Sequence, residues 1–443
     1  MLAVGSSHDA AVAALRASYA AIPPGSPVRL AKKTSNLFRF RDAPAAPGLD
    51  VSGFDRVLEV EGDTAVVQGM TTYEDLVAET LRHGMMPTVV PQLKTITLGG
   101  AVTGLGIEST SFRRGLPHEA VREMDILTGD GQIVTARRDN EHADLFYGFP
   151  NSYGTLGYAL KLTIDLIPVK PFVKLRHLRF TDAAEAARAI LEIQDADFLD
   201  GTVFGPDEVY LTVGTFTDTA PYRSDYTGQK IYFRSVQERS VDFLTVHDYL
   251  WRWDTDWFWC SGAFGLQRPW VRRLWPDSRK RSDVYRRLVA LDKRTHLTAR
   301  ADRWTGRPPR EDVIQDIEVP TERLPEFLEF FHEEIGMSPI WLCPLKAGEK
   351  WPLYPLEPGR SYVNVGFWGT IPQQPGKLPD HHNRRIERVV DSLDGHKSLY
   401  STSFYSRDEF WRHYDGATYQ ALKDKYDSGR RLYDLYDKCV RGT

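Results

Sequence analysis

The sequence predicts an α+β fold in two domains, and three observations carry that prediction. At 443 residues the chain exceeds the usual size of a single domain. Its first third sets strand–turn–strand patterns around a glycine-rich stretch at 91–115. All eleven tryptophans lie between Trp251 and Trp411, so the two halves differ in composition, and Pro168 and Pro171 interrupt the chain where a linker is expected.

Residues 7–22, SHDAAVAALRASYAAI, read as a small amphipathic helix capped near Asp9. VLEVEGDTAVVQGM (57–70) reads as a strand, a Gly62-Asp63 turn and a second strand. In TTYEDLVAETLRHG (71–84), Thr72 with Asp75 suits a helix start, Leu76, Val77 and Leu81 give an apolar face, and Gly84 supplies the stop. MDILTGDGQIVTA (124–136) is a second hairpin through Gly129-Asp130-Gly131. FPNSYGTLGYALKLTIDLIP (149–168) sets a Gly-Thr-Leu-Gly turn before a strand alternating through Leu160, Leu162, Ile164 and Leu166.

After the linker, TDAAEAARAILEIQDA (181–196) is an amphipathic helix with Thr181 as its cap. RLPEFLEFFHEEIG (323–336) reads as helix, SYVNVGFWG (361–369) as strand and RDEFWRHYDGATYQALKDKYD (407–427) as one helical segment. YLWRWDTDWFWC (249–260) suits either the wall of an apolar ligand tunnel or ordinary core packing. RPWVRRLWPDSRKRSDVYRR (268–287) mixes arginine with Trp270, Val271, Leu274 and Trp275. It suits an anionic membrane surface or a solvated basic face.

A net charge of -4 gives no electrostatic case for a nucleic-acid partner. Cys260, Cys343 and Cys439 are too far apart for a zinc spacing or a disulfide framework and point to a reducing compartment. No apolar run approaches the roughly 18 residues of a spanning helix, and the N-terminus lacks a signal-peptide pattern. The expected location is the cytoplasm, at the inner face of a membrane.

The stretch PQLKTITLGGAVTGLGIESTSFRRG (91–115) carries Gly99, Gly100, Gly104 and Gly106 among hydroxyls, with no acidic residue before Glu108. Glycines let a backbone approach a ligand closely, and free N–H groups gather phosphate oxygens. No Gly-Lys-Ser/Thr ending follows, so this is not a Walker loop. Gly104-Leu105-Gly106 runs into Ile107, Glu108 and Ser109, which breaks the dinucleotide fingerprint. What remains is the seat of another phosphate-bearing cofactor, or a surface loop without a ligand.

The order of these segments resembles the FAD-binding domain of the vanillyl-alcohol-oxidase/para-cresol-methylhydroxylase (PCMH-type) superfamily. Within it the strings PQLKTITLGGAVTGLGIEST (91–110), SPIWLCPL (338–345) and DEFWRHYDG (408–416) resemble Δ24-sterol reductases. RLAKKTSNLFR (29–39) and FPNSYGTLGY (149–158) look closer to actinobacterial flavoproteins that reduce a methylene branch on a fatty acyl chain. The resemblance implies a two-domain PCMH/VAO-type flavoprotein. Its FAD-binding domain would span 1–168, its α+β substrate (cap) domain 169–400, and a C-terminal segment, 401–443, would return to the FAD site.

By the same resemblance three loops hold FAD. Lys33, Thr34, Ser35 and Asn36 form the first. Pro91, Gln92, Leu93, Thr97, Leu98, Gly99, Gly100, Gly104, Gly106, Ile107, Glu108 and Ser109 form the second. Gly154, Thr155, Leu156 and Gly157 form the third. No histidine lies between His8 and His83, so noncovalent FAD is expected. His118 either approaches the isoalloxazine or is an exposed loop histidine.

The implied reaction saturates an unactivated lipid C=C bond, 10-methylene to 10-methyl on a fatty acyl chain or a sterol side chain, with NADPH as reductant. An isolated alkene needs a general acid before it can accept hydride. The candidates are His413 and Tyr414, then Glu108, with Asp415, Tyr419 and Glu318 as further groups. The expected partners are a phospholipid acyl chain or sterol, a membrane surface contacted through 268–287, and a lipid methyltransferase that supplies the methylene branch. An alcohol oxidase or dehydrogenase of the same fold, and a flavin-free lipid-binding protein, are the competing classes.

Overall fold

A computed structural model describes residues 2–32, 38–39, 48–295, 300 and 304–442, with backbone alone for 2–6. The first helix, Leu2–Ala20, begins seven residues before Asp9, so Asp9 lies inside it and is not its cap. The short strands β1 (Leu30–Ala31) and β2 (Leu49–Asp50) pair in parallel beside it.

The first sheet contains β3 (Val57–Glu61), β4 (Thr64–Gln68), β5 (Met85–Pro87), β6 (Val121–Leu127), β7 (Ile133–Arg137) and β8 (Tyr158–Pro168). Its order is β3-β4-β8-β6-β7, with β5 also on β8. β8 holds the centre because Leu160, Leu162, Ile164 and Leu166 alternate into the core. Gly62, at φ 56°, takes the first position of the two-residue β3–β4 turn, where type II′ geometry favours glycine. The Thr72 hydroxyl accepts from the Asp75 N–H and starts the helix Tyr73–Arg82, as the sequence predicts.

The second sheet follows after Pro168. It contains β9 (Phe172–Phe180), β10 (Phe198–Gly205), β11 (Glu208–Thr217), β12 (Val241–Thr245), β13 (Arg310–Pro320), β14 (Ile340–Leu345), β15 (Tyr362–Pro372) and β16 (His396–Lys397). The order is β12-β9-β11-β10-β14-β15-β13-β16, every pair antiparallel. The two sheets with their helices make the α+β, two-part architecture. One face of the second sheet, with Val313, Ile317, Leu342, Val363, Val365 and Phe367, packs an apolar core with the helices Ala183–Glu192, Leu324–Phe330 and His381–Ser392. The other face turns toward the first sheet.

Three helix ends differ from the sequence reading. Asp182, not Thr181, caps Ala183–Glu192 by accepting from the Ala184 N–H. The helix from Leu324 loosens at Phe331–Ile335 into a π turn and ends at Gly336, φ 68°. The 407–427 segment is two helices, Arg407–His413 and Gly416–Tyr426. Asp415 adopts φ 42° between them, and its carboxylate accepts from the Thr418 N–H to start the second. Residues 251–259 form consecutive turns and no strand, with Trp257 and Phe258 both at positive φ. Among the described residues no helix is long and apolar enough to cross a membrane.

Candidate active site

A cavity of about 540 Å³ opens between the two sheets, within the usual range for cofactor sites. Glycine-rich loops of the first sheet's unit form one wall and aromatic side chains of the second form another. The rings touch one another: Phe38 stacks on Trp257 at 5.5 Å, Phe258 lies 4.4 Å from Trp368 and 5.3 Å from Trp341, and the Trp368 Nε1–H donates to the Tyr400 hydroxyl at 2.8 Å.

Local chemistry builds the glycine wall. The Thr97 hydroxyl accepts from the Gly100 N–H, and the short helix Leu98–Gly104 follows. The Gly99 N–H bonds the Gly69 carbonyl at 2.9 Å, so these two N–H groups are used within the protein. A Cβ at Gly99 would sit 2.7 Å from that carbonyl oxygen, at Gly104 3.1 Å from the Tyr153 ring, and at Gly106 about 3 Å from both Pro117 and Pro91. These three glycines let chain segments pass one another. At Gly100 a Cβ would meet only the Thr97 hydroxyl.

The wall nevertheless fits a polar cofactor. The N–H groups of Gly106 and Ile107 make no backbone hydrogen bond among the described residues. The buried Gln92 amide, also on the wall, makes no hydrogen bond of ordinary geometry at either end. Arg29, Lys32 and Lys438 bring positive charge to the same cavity, which suits a pyrophosphate. These residues would hold the phosphate-bearing cofactor.

Among the described residues, two carboxyl groups reach the cavity. Glu108 Oε2 accepts from the Ser109 N–H at 3.0 Å and its hydroxyl at 3.2 Å. Ser109 Oγ is 3.0 Å from the Tyr249 hydroxyl, and the Arg252 guanidinium lies 3.9 Å above the Tyr249 ring. Arg252 Nη2 then donates to Asp200 Oδ2 at 2.8 Å, where the Trp253 and Trp341 indoles also donate. Burial pushes the Glu108 carboxyl up to about 8, opposed by Arg252 and the Ser109 N–H.

The second carboxyl is Asp316. On the cavity-facing side of the second sheet, Trp341, Gly366 and Asp316 lie side by side on β14, β15 and β13, with Cys343, Asn364 and Glu318 in the next row. Burial raises the Asp316 carboxyl to about 7, opposed by Asn364 and Lys397. It holds Glu318 well above the usual range, and the nearby Asp316 pushes the same way. Ser398 Oγ donates to Glu318 Oε1 at 3.1 Å. Asp316 Oδ1, Glu318 Oε2 and both polar atoms of the Asn364 amide are buried without a hydrogen bond of ordinary geometry among the described residues.

Of the residues expected to hold FAD, Pro91, Gln92, Leu93, Thr97, Gly99, Gly100, Gly104, Gly106, Ile107, Glu108, Gly154 and Gly157 line the cavity. Leu98 and Leu156 are core residues behind it, Ser109 buttresses Glu108, and the Thr155 hydroxyl bonds the Ser152 carbonyl. Lys33, Thr34, Ser35 and Asn36 lie outside the described residues.

His118 fits neither of its sequence readings. It is buried away from the cavity, 4.4 Å from Trp351, where burial lowers it to about 3. His413 and Tyr414 do not line the cavity either. The turn at Asp415 directs the Tyr414 hydroxyl onto the Lys397 carbonyl at 2.8 Å and leaves His413 Nε2 3.3 Å from Asp391. Sequence reasoning missed Asp316, Ser398, Tyr400, Tyr433 and Lys438. The same-face spacing of Asp316 and Glu318 in VIQDIEVP was the available signal for the first.

The comparisons agree with this geometry. Residues 3–137, most of the first sheet's unit, match a family model described as FAD binding domain. Over 423 residues the chain is 27% identical to Delta(24)-sterol reductase of Homo sapiens, covering 87% of this chain and 76% of that one. It is 27% identical over 445 residues to Delta(24)-sterol reductase of Arabidopsis thaliana, covering 89% and 76%. Cytokinin dehydrogenase 7 of Oryza sativa subsp. japonica is 33% identical over 116 residues, 26% of this chain and 22% of that one.

Proposed function

We propose that the protein is an FAD-dependent oxidoreductase that saturates an unactivated C=C bond of a lipid. The observation that carries this reading is the cavity shared by the unit that matches the FAD binding domain model and an aromatic wall bearing a half-buried carboxyl. No histidine or cysteine among the described residues lines it, which supports noncovalent FAD.

The chemistry follows from the alkene. An isolated double bond has no carbonyl to take up charge, so protonation at its less substituted carbon must accompany hydride delivery. Reduced FAD, when bound, supplies the hydride. The chain's own groups do the rest. The glycine wall and cations seat the cofactor, and the carboxyl side holds a proton. The faces of Trp257, Phe258, Trp341 and Trp368 exclude water and favour positive charge at the reacting carbon.

The substrate we assign is a methylene-branched fatty acyl chain of a phospholipid, reduced to the methyl branch with NADPH as electron source. The 29–39 and 149–158 strings support it. A lipid methyltransferase would supply the methylene group. The runner-up, a sterol side chain, is favoured by the relatives named Delta(24)-sterol reductase.

Access would come from a membrane at the cytoplasmic face. Trp270 and Leu274, four residues apart on the helix Pro269–Leu274, are 64% and 78% exposed. Arg268, Arg273 and Arg279 beside them make no ion pair among the described residues, a combination suited to anionic headgroups.

Anaerobic incubation of the FAD-loaded protein with NADPH tests the reading, with a methylene-acyl phospholipid in one arm and a Δ24-sterol in the other. A gain of two hydrogens in the first arm, read by mass spectrometry, supports the assignment. A gain only in the sterol arm replaces the substrate, and no gain in either overturns the reduction reading.

A further inference from the structure

We propose that Asp316 is the proton donor to the alkene, a role resting on the reduction reading above. The reaction needs an acid that faces the substrate and is shielded from bulk water. Asp316 meets each condition by geometry. Its side chain lines the cavity, it is on the strand β13 face opposite the helical core, and its Oδ1 makes no hydrogen bond of ordinary geometry.

The sheet is built to keep that carboxyl where it is. Gly366 is its neighbour on β15, and a Cβ there would lie 2.5 Å from Asp316 Oδ1 and 2.7 Å from the Trp368 indole. The glycine thus leaves room for an acid and a ring side by side. A proton placed on the alkene leaves a tertiary cation, and the ring is positioned to face it.

The groups around Asp316 are Glu318 on its own strand, Asn364 on β15, Lys397 on β16 and Tyr400 beyond it. Glu318 lies one row further along and is engaged by Ser398. Glu108, the other carboxyl of the cavity, is bonded to Ser109 and faces the buried Arg252. Among the described residues, Asp316 is the cavity carboxyl that lies beside the aromatic wall.

The step balances as follows. The O–H bond of Asp316 breaks and a C–H bond forms at the less substituted alkene carbon, leaving a carboxylate and a tertiary carbocation. Hydride from reduced FAD, regenerated by a dihydronicotinamide, completes the saturated product, and the carboxylate regains a proton from water.

Asp316→Asn tests the role in the FAD-loaded enzyme. Flavin content and flavin reduction by NADPH are expected to stay within about twofold of wild type, while alkene-dependent flavin reoxidation falls at least about 100-fold. Asp316→Glu, which restores an acid, is expected to recover part of that loss. Infrared spectra supply a readout independent of turnover: Asp316→Asn is expected to subtract one component from the protonated-carboxyl band at pH 6, leaving those of Glu108 and Glu318. Wild-type reoxidation by Asp316→Asn overturns the proposal, as does loss of flavin binding in that variant, which would make the residue structural. A large loss in Glu108→Gln with none in Asp316→Asn transfers the role to Glu108. A wild-type enzyme that reduces no alkene overturns the reduction reading and the donor role with it.

Discussion

Gly366 faces Asp316 across the β13–β15 pair, close enough that a single methyl group at 366 would meet the Asp316 carboxylate at 2.5 Å. The relationship ties a backbone choice on one strand to the position of an acid on the next. Gly366→Ala is therefore expected to displace Asp316 or Trp368 and to cost about 1–3 kcal/mol of stability by overpacking. FAD content should be unchanged, since the glycine wall is untouched. Denaturant unfolding and flavin absorbance on the same preparation check both halves of that expectation.

The two cavity carboxyls give stability a pH dependence of definite sign. Glu108 moves from an ordinary value of 4.5 to about 8, and Asp316 from 3.8 to about 7. Both folded values are raised, so the folded state keeps protons that the unfolded chain has lost. The stabilising contribution is complete below the unfolded values and is lost as pH rises toward 7 and 8. At most about 1.4 kcal/mol per pH unit is at stake for each group. Wild type should lose stability between pH 5 and pH 8, and the double variant Glu108→Gln/Asp316→Asn should lose less. Urea midpoints at saturating FAD measure the difference.

Arg252 and Asp200 form a buried ion pair that connects the cavity-lining Glu108 and its neighbour Ser109 to the second sheet. Removing one partner strands the other charge away from water. Asp200→Ala is expected to cost about 3–5 kcal/mol. Asp200→Asn, which retains an acceptor for the guanidinium and both indoles, should cost less. Equal losses in the two variants would mean the charge at 200 matters and the acceptor does not.

Reversing Arg268, Arg273 and Arg279 to glutamate should weaken sedimentation with phosphatidylglycerol vesicles by at least about fivefold per position, with little effect in neutral vesicles. Arg273 on the helix Pro269–Leu274, Arg268 just before it and Arg279 in the turn that follows are all exposed, so folding should be unaffected. Trp270→Ala/Leu274→Ala should weaken binding to both vesicle types.

Much of the first sheet was legible in the sequence because its signals are local. The Gly62 turn, the Thr72 cap and the Leu160–Leu166 alternation each act over a few residues. The glycine wall was legible as a site, although Gly99, Gly104 and Gly106 prove to be fixed by neighbouring chain at least as much as by any ligand.

The acid side was legible only at Glu318, and Asp316 two residues before it was missed. Asp316, Glu318 and Asn364 alternate with Ile317, Val319, Val363 and Val365, the pattern of a strand with one face in water. The first sheet's unit, the 251–259 turns and residues 397–400 cover that face, and no local pattern encodes such cover. His413 and Tyr414 pointed elsewhere because Asp415 breaks a segment whose periodicity runs through it.

The central claim is that one cavity brings a flavin and a lipid alkene together for reduction. Single-turnover mixing tests it most directly: the reduced, FAD-loaded protein is combined anaerobically with a methylene-acyl phospholipid, and flavin absorbance is followed while the lipid mass is read. The expected result is return of the oxidised flavin spectrum in step with a lipid heavier by two hydrogens. A flavin that stays reduced until oxygen is admitted, with both the acyl lipid and a Δ24-sterol left unchanged, would contradict it.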